Sequence, residues 1–323
     1  MSIKTLAAIL VSTFASFVAV PALAQPYPNK PIKLLVGFSP GGGPDIIARV
    51  LAQKLTEEWK QPVLVENRVG AGSNIAAQVL ANSPADGYTL LSVSSAHAIS
   101  PAIYAKLPYD VLRDFSGVTI TATGPALVIV SPQLGVNTLQ EFIALVKARP
   151  GQFNYSSAGI GSGSQFAVEL LKAQAGLDMV HIPFKGIPEA LADTMSGRTQ
   201  LFISPYASAI NLVREGRAKA LAVTSTQRMS ELPNLPTVAE SGVAGYKWIF
   251  WYGLLAPAKT PRAIVDKLQV EVASILKQPQ VLQRFAPLGI EPVTSSPDAF
   301  DQLIRDEVQM FKKLAQASAI KAD

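Results

Sequence analysis

Apolar positions along this chain alternate between two rhythms. Short strand-like runs fall at 32–38, 62–66, 88–93, 127–131, 154–156, 181–184, 201–204 and 220–224. Between them, apolar residues recur at three- and four-residue spacing, the period of a helix face. Ile46, Ile47, Val50, Leu51, Leu55 and Trp59 form one such face, which predicts a helix from Asp45. Pro44 suits its first turn, where no backbone N–H is needed. Helices are predicted likewise from 74 to about 82 and at 139–148 (capped by Thr138), 165–175, 188–196, 262–276 and 297–317. Repeated strand–helix alternation predicts an α/β fold of open mixed sheets with helices on both faces.

The first residues stand outside this pattern. Lys4, the apolar stretch 6–20, Pro21 and Ala22-Leu23-Ala24 read as an export signal cleaved after Ala24. The apolar stretch is short for a membrane span, which needs about 20 residues. A mature chain from Gln25 to Asp323 is large for one core, so two domains are expected. The C-terminal helices need a sheet to cover. The boundaries follow: residues 1–24 signal peptide, 25–125 plus 236–323 a discontinuous first domain, 126–235 the second. Two strands are expected to cross between the domains, near 122–130 and 222–240. A ligand would lie in the cleft between the domains, at the carboxyl ends of the strands.

Two glycine-rich loops carry the chemistry. Each follows a strand-like run and opens a helix-like run. The first is Phe38-Ser39-Pro40-Gly41-Gly42-Gly43-Pro44-Asp45, and the second runs from Tyr155 to Ser164 with Gly159, Gly161 and Gly163. A helix N-terminus offers unpaired N–H groups and a positive dipole end. Glycine lets the backbone come close to a ligand. Two such cradles can grip one carboxylate from both sides.

Several chemistries are excluded. The chain has no Cys, which removes thiolate zinc sites and a Cys nucleophile. Its two histidines, His97 and His181, lie in no H-E-x-x-H, so no metal is expected. No G-x-S-x-G elbow supports a Ser-His-Asp hydrolase. The glycine spacing of the second loop does not fit the dinucleotide fingerprint. No cofactor is expected. The net charge of +5 is spread without a basic block, which argues against nucleic acid and suits an anionic small ligand.

The chain resembles the tripartite tricarboxylate transporter receptors, the Bug-type periplasmic solute-binding proteins. The matching pieces include Tyr27-Pro28 with Lys30-Pro31-Ile32, Pro40-Gly41-Gly42 with Asp45, and Glu66-Asn67-Arg68 with Gly70-Ala71-Gly72. Asp86-Gly87-Tyr88-Thr89-Leu90, Tyr155-Ser156-Ser157-Ala158-Gly159, Lys185-Gly186, Leu235-Pro236-Thr237 and Trp251-Tyr252-Gly253-Leu254 follow in order. The resemblance implies a two-domain Venus-flytrap fold of the type II periplasmic class, with a cleft between two mixed sheets. It implies a monomeric periplasmic receptor that binds a small carboxylate, a dicarboxylate or an aromatic acid, and hands it to membrane permease subunits. Carried over, it points to Gly41, Gly42, Gly43 and Asp45 in loop one, and Ser156, Ser157, Gly161, Ser162 and Ser164 in loop two. Phe38, Ser94, Gln165, Lys185 and Tyr206 complete the expected ligand-binding set, and Trp251 reads as core. The chain departs from the common pattern at Gln165 (often His), Phe184 (often Tyr), Thr199-Gln200 and Ser204-Pro205-Tyr206. Two other readings stand beside this one: an exported α/β enzyme acting on a carboxylate, and a sensor subunit for a membrane kinase.

Overall fold

The computed structural model describes residues 27–317 and 320–322. The expected export signal lies outside the described residues. In chain order the elements are β1 (Ile32–Val36), α1 (Gly43–Trp59), β2 (Val63–Asn67), α2 (Asn74–Ala81), β3 (Thr89–Ser94), α3 (Ala96–Ile103), β4 (Phe115–Val130), α4 (Leu139–Ala148) and β5 (Asn154–Ser157). There follow α5 (Gly163–Ala175), β6 (Val180–Pro183), α6 (Ile187–Met195), β7 (Leu201–Pro205), α7 (Tyr206–Arg214), β8 (Lys219–Val223) and β9 (Ile249–Pro257). The chain ends with α8 (Arg262–Leu276), α9 (Pro279–Phe285), β10 (Glu291–Pro292) and α10 (Pro297–Ala317).

The strands form two mixed sheets that share one long strand. In the first, β2, β1 and β3 are parallel, and β9 runs antiparallel between β3 and β4. In the second, the far half of β4 pairs antiparallel with β7 and β8, and β5 runs parallel to β7 and β6. This is a two-domain α/β architecture of the type II binding-protein class. β9 pairs with β4 over 115–125, and β8 takes over the same edge at 127–130.

At that changeover Thr224 ties three segments together. Its hydroxyl accepts from Ala126 N–H at 2.8 Å and donates to Trp248 C=O at 2.6 Å. Its own backbone bonds to both residues as well. The first expected crossing, near 122–130, is β4. The second differs from expectation: the chain returns through 224–248 with only an isolated bridge, Val223 to Thr237, and re-enters a sheet at Ile249.

Local chemistry accounts for the helix ends. α5 starts on Ser162, whose hydroxyl accepts Gln165 N–H, and stops at Gly176 in the left-handed region. α4 starts on Thr138 in the same way. One core runs through both sheets, from Leu34, Val36 and Leu91 to Phe142, Phe166 and Leu171. A smaller one, with Leu127, Ile129, Phe202, Tyr206 and Ile210, lies under α6 and α7. α8 and α10 pack on β4, and α10 also on α3. Phe300 of α10 sits against Gly253, where a Cβ would come within 2.1 Å of its ring. Among the described residues no helix is long and apolar enough to cross a membrane.

Candidate functional site

The two glycine loops face each other across the cleft, α1 approaching from one side and α5 from the other. Between them lies a narrow slot lined by Phe38, Ser39, Gly42 and Pro44 of loop one, Ala158, Ser162, Gly163 and Ser164 of loop two, and Ser94, Ile187, Pro205, Phe250 and Tyr252. No charged side chain lines it. The free space is about 30 Å3, on the order of one water's share of liquid volume. That is head-group size, not the size of a whole acid.

The slot is rich in unused donors. Among the described residues the N–H groups of Gly43, Gly163 and Ser164 have no acceptor. They are first-turn groups of α1 and α5, so both positive dipole ends point into the same space. Ser95 adds a hydroxyl that is 2% exposed, has no partner among the described residues and lies against Gly163. Tyr252 places its hydroxyl against Gly43, where a Cβ would come within 2.3 Å of it. Burial pushes the Tyr252 phenol up, so it stays a proton donor.

Each loop is braced by a side chain four residues on. Asp45 turns back and accepts Gly41 N–H at 3.0 Å, Arg49 through both carboxylate oxygens at 2.9 and 3.0 Å, and Asn67 at 2.9 Å. Burial works to raise the Asp45 pKa, but the bonds from Arg49, Asn67 and Gly41 outweigh it and hold the carboxyl below its ordinary value. Asn67 also donates to Phe38 C=O at 2.9 Å. In loop two, Gln165 Oε1 accepts Gly161 N–H at 2.8 Å. Its amide nitrogen faces His181 Nδ1 at 3.2 Å, so His181 Nε2 carries the proton and donates to Ser157 Oγ at 2.7 Å. Ser157 in turn donates to Gly159 C=O at 3.1 Å.

The Ser157–His181 contact is not a nucleophile–base pair. Burial, with Lys172 nearby, lowers His181 to about 4, which makes it a poor base. Its second nitrogen meets a neutral amide instead of a carboxylate. Ser157 is wholly buried.

The expected site residues therefore divide. Phe38, Gly42, Ser94, Ser162 and Ser164 line the slot, and Gly43 contributes its N–H. Asp45, Gln165, Ser157 and Gly161 hold the loops. Ser156 points under α6 to Ala190 C=O and Thr194. Gly41 sits exposed at a loop tip with φ +86. Lys185 lies farther out on the cleft wall. Tyr206 does not reach the slot: its ring packs on Gly289 within the smaller core, and its neighbour Pro205 takes the lining position.

Sequence reasoning missed Tyr252, Phe250, Arg49 and Asn67. Strand alternation carries the signal for two of them. Phe250 and Tyr252 share the cleft face of β9, while Trp251 faces the other way and donates to Glu307 at 2.6 Å. Among the described residues no cluster of His, Asp or Glu could hold a metal ion.

The sequence model of the tripartite tricarboxylate transporter family receptors matches residues 47–320. The chain belongs to this family. It is 33% identical over 320 residues to the protein BugT of Bordetella pertussis, covering 98% of both chains. Among solved structures it is similar to Rpa4515 of R. palustris with adipate, with a TM-score of 0.88 and 33% identity over 91% of this chain and 99% of that one. MatC of Rhodopseudomonas palustris with bound malate gives a TM-score of 0.84 and 30% identity, covering 89% and 99%.

Proposed function

We propose that this chain is a periplasmic solute receptor that binds a small carboxylate in the cleft and delivers it to the permease subunits of a tripartite transporter. The observation that carries this reading is the pair of helix N-termini converging on a slot with unpaired N–H groups, serine hydroxyls and no fixed charge. A carboxylate there accepts charge-assisted hydrogen bonds in a dry site, so neutral donors suffice. A receptor must release its ligand, and a slot without a buried Arg or Lys favours release. The acids named with Rpa4515 and MatC support the ligand class.

The lobes are proposed as residues 25–125 plus 236–323 and 126–235, with binding by lobe closure about the β4 and 224–248 crossings. Residues 1–24 are proposed as the export signal, and the receptor acts as a monomer. Binding without turnover is the expected mode, because the Ser–His contact of loop two is buried and mispolarised for acyl chemistry.

Isothermal titration with mono- and dicarboxylates tests this. One acid class binds the wild type and is recovered unchanged. Ser162→Ala binds that acid about 10- to 100-fold more weakly, the scale of one hydrogen bond to a charged group. Wild-type affinity in Ser162→Ala, or conversion of the acid, would overturn the reading.

A further inference from the structure

Behind the strands that carry the slot lies a second hollow. Along β9, Phe250 and Tyr252 face the slot, so Ile249 faces the opposite side. There it floors a groove of about 670 Å3, beside Gly124 and Pro125 of β4. One wall is residues 225–231, the start of the return crossing from the second lobe. The other is Leu282 of α9 with Ile290, Glu291 and Pro292, from the first lobe. Leu282 and Pro292 also line an adjoining hollow of about 320 Å3 near the end of α8.

Three features of this groove suit a protein segment. Its floor and outer lip are apolar: Ile249, Ile290 and Met229 line it, and Leu282 and Val293 are exposed beside it. The 225–231 wall also leaves its backbone open. Among the described residues, none of the N–H groups from Ser225 to Glu231 has an acceptor. The wall is nevertheless held in shape. Ser225 Oγ donates to Gln227 C=O at 2.6 Å, and Arg228 donates to Glu240 at 2.9 Å and to Pro233 C=O at 3.2 Å. An extended chain can pair with such a run while its side chains enter pockets. The third feature is charge. Glu231 stands on one wall and Glu291 on the other, both exposed and, among the described residues, in no ion pair. Arg228, the one basic residue of the lining, is already engaged by Glu240. In a chain of net charge +5, the groove is thus a local acidic spot over an apolar floor.

We propose that this groove docks an extended segment of the membrane permease in which a Lys or Arg sits among apolar side chains. The cation lies between Glu231 and Glu291, and the apolar neighbours cover Ile249 and Leu282. The two walls belong to different lobes, so the spacing of the two carboxylates changes as the lobes close. The segment therefore fits one lobe arrangement better than the other, and the partner distinguishes the loaded receptor from the empty one. This rests on the receptor reading above and adds the surface that serves delivery.

The test uses the full receptor with the permease subunits reconstituted in lipid vesicles, and the radiolabelled acid selected by calorimetry as the probe. Wild type, Glu231→Lys, Glu291→Lys and the double variant are compared for acid affinity and for uptake. Both residues are exposed and away from the slot, so the variants are expected to fold and to bind the acid within about twofold of wild type. Uptake is expected to fall in each single variant and by about tenfold or more in the double variant, since like charges facing each other across an interface are strongly disfavoured. Benzoylphenylalanine at Met229 or Leu282 is expected to cross-link to a permease subunit, several-fold more with the acid present. Wild-type uptake in the double variant, or no cross-link to a permease subunit from either position, overturns the docking groove while the receptor reading stands. Acid affinity that falls in step with uptake in the double variant overturns it as well. No uptake with the wild-type receptor overturns the delivery reading and the groove together.

Discussion

Asp45 and Gln165 perform one task in two loops. Each sits in the first turn of its helix and accepts the N–H of the glycine four residues before it. One uses a carboxylate neutralised by Arg49, the other a neutral amide held by His181. Loop one is thus stiffened without presenting net charge to the slot, and loop two without any charge at all. His181 makes loop two sensitive to acid. Its folded pKa of about 4 lies below the ordinary 6.5, so the folded protein binds fewer protons between those values. The stability it contributes is full above about pH 6.5 and is lost as pH falls through 4. His97, fully buried and lowered to about 3, acts with the same sign. The thermal midpoint is therefore expected to drop between pH 6.5 and 4, and His181→Asn to flatten part of that drop. An unchanged slope in the variant would refute the role given to His181. The glycines and serines of the loops were legible in the sequence because helix N-termini need them. That Asp45 and Gln165 turn inward was not, because their partners Asn67 and His181 come from other strands.

β9 shows how element-level reading fails and how it could succeed. The run Ile249–Pro257 is buried along almost its whole length, and it is sandwiched between β3 and β4. Without a solvent face it lacks the alternation that marks a strand. The first half of β4 escaped for another reason: Ser116, Gly117, Thr119, Thr121, Thr123 and Gly124 make it weakly apolar, and β9 supplies its pairing. The apolar runs of β1, β3 and β7 were plain. The outward face of β9 docks α10 through Trp251 and Glu307. Burial raises Glu307 to about 7, although the Trp251 hydrogen bond works to lower it. A raised carboxyl contributes stability present below its unfolded pKa near 4.5 and lost as pH rises through 7. Glu307→Gln keeps an acceptor for Trp251 and removes the charge. Its thermal midpoint is expected to rise by a few °C at pH 8 and little at pH 5, where 1 kcal/mol shifts a domain of this size by about 2–4 °C. An equal effect at both pH values would contradict the buried-charge account.

At the scale of the molecule, the lobes meet through glycine. A Cβ on Gly72 would lie 2.8 Å from Ile160 C=O, and one on Gly186 would lie 2.8 Å from Ser39 Oγ. These contacts lie beside the slot, where the proposed lobe closure brings the two lobes together. Gly72→Ala places a methyl against a backbone carbonyl at φ +63, where an L residue costs about 1–2 kcal/mol. It is expected to weaken acid binding without unfolding the protein, since the bonds of buried Thr224 to Ala126 and Trp248 lie away from residue 72. Wild-type affinity in Gly72→Ala would show that full closure is not needed. In the proposed complex the N–H groups of α1 and α5 receive one carboxylate. The most direct measurement is an amide NMR titration of the 15N-labelled mature protein with the acid selected by calorimetry. Gly43, Gly163 and Ser164 are expected to shift together, downfield and saturably, with the same dissociation constant. Binding of the acid with those three amides unmoved would contradict it.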